Sequence, residues 1–186
     1  MGNFYVNTTV SGPSQEAVSR ALSGRRAYVS PALNNYVVIY DQASGEDPFE
    51  GFGLTERISQ VLKCPALIVG VFDDDVLLYR LYVNGALMDE YNSDPGYGES
   101  SEITLPTGGD GAKLHSAFST GDATRLSSIL RRARGSEQDQ YLFESERHAD
   151  LAKELGMPVG AVALGFSYVE QGEGPPDFRQ GLKKTF

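Results

Sequence analysis

The stretch that decides the fold is Asp73–Tyr91, which reads DDDVLLYRLYVNGALMDEY. Strand-like patterns flank Asn84-Gly85, a dipeptide typical of the tight turn of a β-hairpin, because both residues tolerate a positive φ. A two-residue turn fixes the register of the two strands. The predicted pairs are Val83–Ala86, Tyr82–Leu87, Leu81–Met88, Arg80–Asp89, Tyr79–Glu90 and Leu78–Tyr91.

This register gives the hairpin two apolar faces. The first face carries Leu77, Tyr79, Leu81, Val83, Ala86 and Met88. The second face carries Leu78, Tyr82, Leu87 and Tyr91 around an Arg80–Asp89 pair. An antiparallel sheet with one solvated face needs apolar residues on one side only. We therefore expect something to cover each face, and what covers the second face is the central functional question.

The segments before the hairpin alternate between strand and helix patterns. Strand patterns cover residues 2–10, 27–29, 36–41 and 66–72, and helix patterns opened by Ser14 and Thr55 lie between them. This β-α-β-β-α-β order resembles the ferredoxin-like layout, in which helices cover one face of an antiparallel sheet. We predict an α+β fold: a ferredoxin-like sheet extended by the hairpin, with a mainly helical C-terminal part packed on it.

The chain divides into three predicted units. Residues 1–93 form the α+β sheet unit with its hairpin. Residues 94–111 are rich in Gly, Ser, Pro and acid, which is typical of a loop or linker, and whether they are ordered stays open. Residues 112–186 follow a mainly helical pattern, and we expect them to belong to the same compact domain.

The composition is that of an acidic globular protein. The 186 residues carry a net charge of −9, and residues 1–100 hold 6 Lys and Arg against 13 Asp and Glu. This surface repels phosphate backbones, so nucleic acid is not an expected partner; it favours a basic partner or simple solubility. The chain shows no secretion signal or membrane-spanning run, and its single Cys64 suits a reducing compartment. We predict a cytoplasmic protein without membrane contact.

Two groups of residues offer a metal site. Asp73–Asp75 lie in a turn between strands and carry the oxygen ligands that hard cations prefer. Glu144 and His148 are spaced i, i+4 on one helix pattern and can reach one metal. Each group also has a structural interpretation. Asp73–Asp75 can be a solubilising turn that blocks edge pairing, and His148 can be a half-buried packing residue. The alternative function is a small metal-assisted hydrolase or transferase.

The segment Leu151–Val162, LAKELGMPVGAV, resembles a helix-turn-helix. The small residue, turn glycine and aliphatic residue of that motif correspond to Ala152, Gly156 and Val162. Its second helix, Val159–Gly165, carries no Arg, Lys, Asn, Gln or Ser to read base edges or hold phosphates. A transcription regulator, supported by the basic cluster Arg131–Arg134, is the third hypothesis. The structural alternative is a core turn followed by a closing strand, Phe166–Val169.

Tyrosines are concentrated at the hairpin and its exit. Their rings provide large, rigid contact area with a polar tip, which suits interfaces. Two interpretations of the second hairpin face stay open: the C-terminal helices cover it as core, or a partner does. No convincing catalytic set accompanies it, so we predict a non-catalytic protein-interaction module without a cofactor, which binds a protein partner or a second copy of itself. The predicted binding residues are Leu78, Arg80, Tyr82, Leu87 and Tyr91.

Overall fold

The computed structural model describes residues 2–99, 104–132, 135 and 140–186. It shows an α+β protein with an eight-stranded antiparallel sheet and several helices. The strands are β1 Tyr5–Ser11, β2 Ala27–Val29, β3 Tyr36–Asp41, β4 Pro65–Phe72, β5 Val76–Val83, β6 Ala86–Asn92, β7 Thr107–Gly108 and β8 Lys183–Lys184. The α-helices are α1 Gln15–Ala21, α2 Gln42–Glu46, α3 Pro48–Leu62, α4 Gly111–Phe118, α5 Ala123–Arg131, α6 Glu144–Glu154, α7 Phe166–Glu170 and α8 Pro176–Gln180.

The sheet runs in the order β7-β6-β5-β4-β1-β3-β2-β8, and its neighbouring strands are antiparallel. It holds more strands than the predicted layout, so the ferredoxin-like topology stays a prediction. The division of the chain into three units also remains a prediction. Residues from the C-terminal part complete the sheet as β8. Residues 94–99 and 104–111 of the predicted linker are described, and they include β7.

Helices cover both faces of the sheet. One face packs against α1 and α3, and its core contains Val10, Val18, Leu22, Val37, Ile39, Leu54, Ile58 and Ala66. The other face packs against the helices of the C-terminal part, and its larger core contains Leu67, Val69, Leu81, Leu114, Leu126, Leu130, Leu151, Phe166 and Phe178. Alternating residues of the central strands therefore enter two separate cores.

Helix α3 begins earlier than the sequence pattern indicates. Asp47 is its N-cap and accepts a hydrogen bond from the Phe49 backbone N–H at 2.9 Å, and Pro48 occupies the first turn. Thr55, the predicted cap, lies inside the helix, so that prediction is wrong. Its buried hydroxyl instead donates to the Gly51 carbonyl and contacts the Thr8 hydroxyl, each at 2.8 Å.

The hairpin turn is where the sequence places it. Asn84 and Gly85 have φ values of 54° and 87°, as a type I′ turn requires, and the pairs Val83–Ala86 and Tyr82–Leu87 are confirmed. Beyond them a β-bulge leaves Met88 without an opposite residue, so the remaining predicted pairs are wrong. The observed pairs are Leu81–Asp89, Arg80–Glu90, Tyr79–Tyr91 and Leu78–Asn92.

The bulge moves Asp89, Glu90 and Tyr91 to the opposite face from the predicted one, since one extra residue reverses the alternation of side chains. Asp89 and Tyr91 now lie beside Tyr79 rather than beside Arg80. The Asp89 carboxylate accepts from the Tyr79 hydroxyl at 2.6 Å and from the Asp110 backbone N–H at 2.8 Å. These buried hydrogen bonds stabilise the bulged register.

The segment that resembles a helix-turn-helix has no second α-helix. After α6, residues Val159–Ala161 form a single 3₁₀ turn, and Phe166–Val169, the predicted closing strand, lies in α7. The buried Asn7 side-chain amide donates to the carbonyls of Ala161 and Leu164, at 2.9 and 2.8 Å. These contacts hold the residues between α6 and α7 as a loop against β1. Phe166–Val169, which follow this loop, are helical despite their local preference for a strand.

Candidate functional site: an aromatic groove beside the hairpin

One face of the hairpin is closed by the C-terminal helices. Tyr91 is buried, its ring stacks on Tyr79 with centroids 5.3 Å apart, and its hydroxyl donates to the Leu130 carbonyl at 3.0 Å. The Arg147 guanidinium lies 5.8 Å from the centroid of the same ring. Burial raises the pKa of Tyr91 well above its usual range. The side chain of this predicted binding residue is therefore core.

The other face is only partly covered. Tyr82 is buried with Val6 and Ile68, beside the half-buried ring of Phe52 from α3. Leu78 and Arg80 are half-buried and line an open groove, whereas Leu87 is exposed at the hairpin tip. The structure thus brings Leu78 and Arg80 together, places Tyr82 beneath α3 next to them, and separates Leu87 and the Tyr91 side chain from this group.

The groove consists of two adjoining cavities of about 470 and 490 Å³ that share Phe49, Phe52, Leu78 and Asn92. Volumes in this range are ordinary for binding sites. We call it the aromatic groove and define it by six of its apolar and aromatic lining residues, which are Phe4, Phe49, Phe52, Phe72, Leu78 and Tyr97.

Two aromatic pairs form the walls of the groove. Phe49 and Phe52 lie one turn apart on α3, with ring centroids 5.8 Å apart and nearly perpendicular planes. The pairing of Tyr5 with Val71 brings Phe4 close to Phe72, and these rings meet edge to face at 5.2 Å. Phe49 remains 76% exposed, and Phe4 and Tyr97 remain 46% exposed.

The groove carries more negative than positive charge. Asp73, Asp94 and Glu90 line it. Arg80, the only cation among the described lining residues, lies 4.2 Å from the Phe52 ring centroid and 3.4 Å from a Glu90 oxygen. Three carboxylates therefore accompany one cation among the described lining residues, which leaves the groove with an excess of negative charge.

The loop after β6 forms one side of the groove. Asp94 is buried and organises the loop by accepting hydrogen bonds from the Thr104 hydroxyl at 2.5 Å and from the Gly96 backbone N–H at 3.3 Å. The Tyr97 hydroxyl donates to Asp75 at 3.5 Å. This part of the predicted linker therefore places the Tyr97 side chain at the groove, with Asp94 as the centre of the loop's hydrogen bonds.

Asp74, the middle residue of the acidic turn, holds two chain segments together. Its carboxylate accepts from the Asn3 backbone N–H at 2.8 Å and from the Asn3 side-chain amide at 3.0 Å. Its carbonyl accepts from the Glu144 backbone N–H at 2.9 Å, at the start of α6. Burial alone would raise the pKa of Asp74, but the hydrogen bonds from Ser145 and Asn3 outweigh it and lower that pKa.

Glu144 and His148 have different partners. Glu144 forms a fully buried ion pair with Arg147, with an oxygen–nitrogen distance of 2.7 Å. His148 Nδ1 lies 2.8 Å from the Tyr5 hydroxyl, and burial lowers the pKa of His148 to about 3. Among the described residues, no group of three or more His, Cys, Asp and Glu side chains is arranged to hold a metal ion.

The basic cluster near the end of α5 is engaged in the fold. The Arg131 guanidinium donates to the carbonyls of Gly108 and Gly109, and Arg132 lies 5.4 Å from the centroid of the Tyr141 ring. Arg134, the remaining arginine of that cluster, lies outside the described residues. The two described arginines support the β7 loop and the α6 entry.

Comparisons with protein-family models, with curated proteins and with solved structures found no match. In the part of the chain that the structure describes, no helix combines the length and the apolar character that crossing a membrane requires.

Proposed function

We propose that this protein is a non-catalytic interaction module that binds a segment of a protein partner in the aromatic groove. The observation that carries the proposal is the group of exposed rings around the groove, with Phe49 76% exposed. Exposed aromatic side chains that surround a concave apolar surface are typical of protein-binding sites. The rest of this sheet face is covered by α1 and α3, which sets the groove apart from it.

The charge around the groove supports one chemical class of partner. Asp73, Asp94 and Glu90 line the groove beside its apolar residues, and their only cationic neighbour among the described lining residues, Arg80, is already paired with Glu90. A bound segment that combined apolar or aromatic side chains with Lys or Arg would fill the groove and balance these carboxylates. Such complementarity would also raise the association rate at low salt.

The proposal also includes a fold relationship and a cellular location. We infer a ferredoxin-like unit in the sheet because β4-β1-β3-β2 are neighbours and because α1, and α2 with α3, connect its strands in the predicted order. We infer a cytoplasmic location because the chain has a single cysteine, Cys64, whose thiol is buried with its pKa raised to about 11.

A peptide-display experiment tests the proposed groove. Random short peptides are selected for binding to the wild-type protein alone, and the affinity of each retained peptide is then measured for the wild type and for the Phe49→Ser variant. We expect the retained peptides to combine basic and aromatic residues, and to bind the Phe49→Ser variant at least about tenfold more weakly, which corresponds to about 1.4 kcal/mol.

Val61→Ser is the matched control, because Val61 is also exposed on α3, at 61%, but lies outside the groove. It should leave peptide affinity unchanged. Binding that is lost equally in both variants, or selected peptides that bind Phe49→Ser as tightly as wild type, would refute the groove as a binding site.

A further inference from the structure

The opposite end of the sheet carries a cluster of basic and aromatic residues. Phe186 is 55% exposed, and its ring lies 5.0 Å from the Arg26 guanidinium carbon and 5.6 Å from the Lys184 ammonium nitrogen. Lys184 also lies 5.4 Å from the Tyr28 ring centroid. We call Arg26, Lys183, Lys184 and Phe186 the basic patch. Cations stacked on an exposed ring present both charge and apolar area.

The basic patch has the composition that the aromatic groove lacks. The groove offers exposed aromatic rings with an excess of carboxylates, and the patch offers an exposed aromatic ring between cations. Arg26 and Lys183 contact Glu170 and Glu16 at 2.5 and 2.6 Å, but these pairs are exposed and worth little in water. Both cations can therefore exchange their partners at small cost.

The two surfaces cannot meet within one molecule. The groove lies over β5 and β6, the patch lies at β2 and β8, and three strands, β4, β1 and β3, lie between them in the sheet order. At a spacing of about 4.8 Å between strands, β6 and β2 are about 24 Å apart. Two copies placed end to end would bring one groove against one patch.

We propose that the occupant of the aromatic groove is the basic patch of a second copy of this chain, so that the protein assembles head to tail. This inference rests on the proposed function, since it names the partner of the same groove. The contact is heterologous, because it joins two different surfaces, and each added copy leaves one free groove and one free patch. Assembly then continues until a ring closes or the chain of copies ends.

Two variants each remove one end of this contact. Phe49→Ser with Glu90→Lys disables the groove and keeps the patch. Lys184→Ser with Phe186→Ser disables the patch and keeps the groove. All four positions are exposed, so we expect each variant to fold, which its circular dichroism spectrum and thermal midpoint will check.

Sedimentation velocity at low salt and rising protein concentration supplies the readout. We expect the average mass of the wild type to grow beyond a dimer, and each variant alone to stay at the 20.2 kDa of one chain. An equal mixture of the two variants retains one intact groove and one intact patch, so it should form only a dimer with twice the mass of one chain. Added salt should weaken both assemblies.

The double variant Lys153→Ser with Val159→Ser is the matched control. It removes one exposed lysine and one exposed apolar residue away from both surfaces, and it should assemble like the wild type. A wild type that stays monomeric at all concentrations, or a mixture that fails to form the dimer, would overturn head-to-tail assembly. If selected peptides still bind the groove in that case, the proposed function stands and only the identity of the partner is wrong.

Discussion

The two faces of the β5–β6 hairpin differ in what covers them, although residues that alternate along the same strands form both. On one face, Tyr79, Tyr91 and Asp89 are buried under the C-terminal helices and hydrogen-bonded to them or to each other. On the other face, Leu78 and Arg80 are only half-buried beside α3. The apolar character of a strand face therefore does not establish whether that face is core or open surface. The outcome depends on how much of the face the neighbouring helix covers.

The largest effect is expected where the covered face contains a buried charge. Arg147→Ala leaves Glu144 buried without its partner and removes the cation from the Tyr141 ring, 4.6 Å away. We expect a loss of about 3–5 kcal/mol in the free energy of unfolding, measured by urea denaturation. Arg125→Ala is the control, because Arg125 is 77% exposed, and a similar loss in both would show that the burial of Arg147 does not matter.

Acid should destabilise the covered face through His148. The pKa of His148 is about 6.5 in an unfolded chain and about 3 in the folded protein, so between these values the unfolded state binds one more proton. Stability should therefore fall by about 1.4 kcal/mol for each pH unit below about 6.5.

Urea denaturation at a series of pH values checks this slope, and His148→Gln should remove it. The low pKa of Asp74 adds a loss in the same direction, but only at more acidic pH, as pH falls through and below the usual aspartate range. A stability that stays constant as pH falls through the histidine range would contradict the buried, neutral state of His148.

A smaller effect is expected for the hydrogen bond that holds the bulged register. Tyr79→Phe removes the hydroxyl that donates to Asp89 at 2.6 Å and keeps the ring that stacks on Tyr91. We expect a loss of about 1.5 kcal/mol, because hydrogen bonds to charged groups contribute more than neutral ones. Tyr97→Phe, at an exposed hydroxyl beside the groove, should change the unfolding free energy by less than about 0.5 kcal/mol.

The smallest effect on stability is expected on the open face. Phe49→Ser should change the unfolding free energy by less than about 0.5 kcal/mol, since the ring is largely exposed. Differential scanning fluorimetry against Val61→Ser is a sufficient measurement. A loss of several kcal/mol would mean that Phe49 supports the fold and belongs to the core rather than to the open surface.

Strands β1 to β6 and the hairpin turn were predictable because they depend on local signals, whereas the short strands β7 and β8 were not predicted. Asn84-Gly85 specifies its turn through two positive φ values, and the apolar runs specify their strands. The register beyond Tyr82 could not be predicted in this way. The bulge at Met88 depends on the hydrogen bonds that Asp89 accepts from Tyr79 and from Asp110, in the loop before α4. These contacts join residues that are distant in sequence, so a local sequence pattern does not predict them.

The aromatic groove was missed for a similar reason. Phe4, Phe49, Phe72 and Tyr97 come from four separate segments, and only the sheet register and the start of α3 bring them together. One usable signal was present: Asp47-Pro48 is an N-cap followed by proline in the first turn, with aromatic residues at 49 and 52 on one helix face. The sequence prediction began this helix only at Thr55, after both aromatic residues.

The pairing of β8 with β2 has a consequence for synthesis of the chain. Thr185 receives a hydrogen bond from the Ala27 backbone N–H across 158 positions of sequence. Until that late segment emerges, the outer edge of β2 stays open to any other strand, including that of a neighbouring nascent chain. A truncated chain that ends before Lys183 should therefore aggregate more readily than the full one, even though its two cores are otherwise complete.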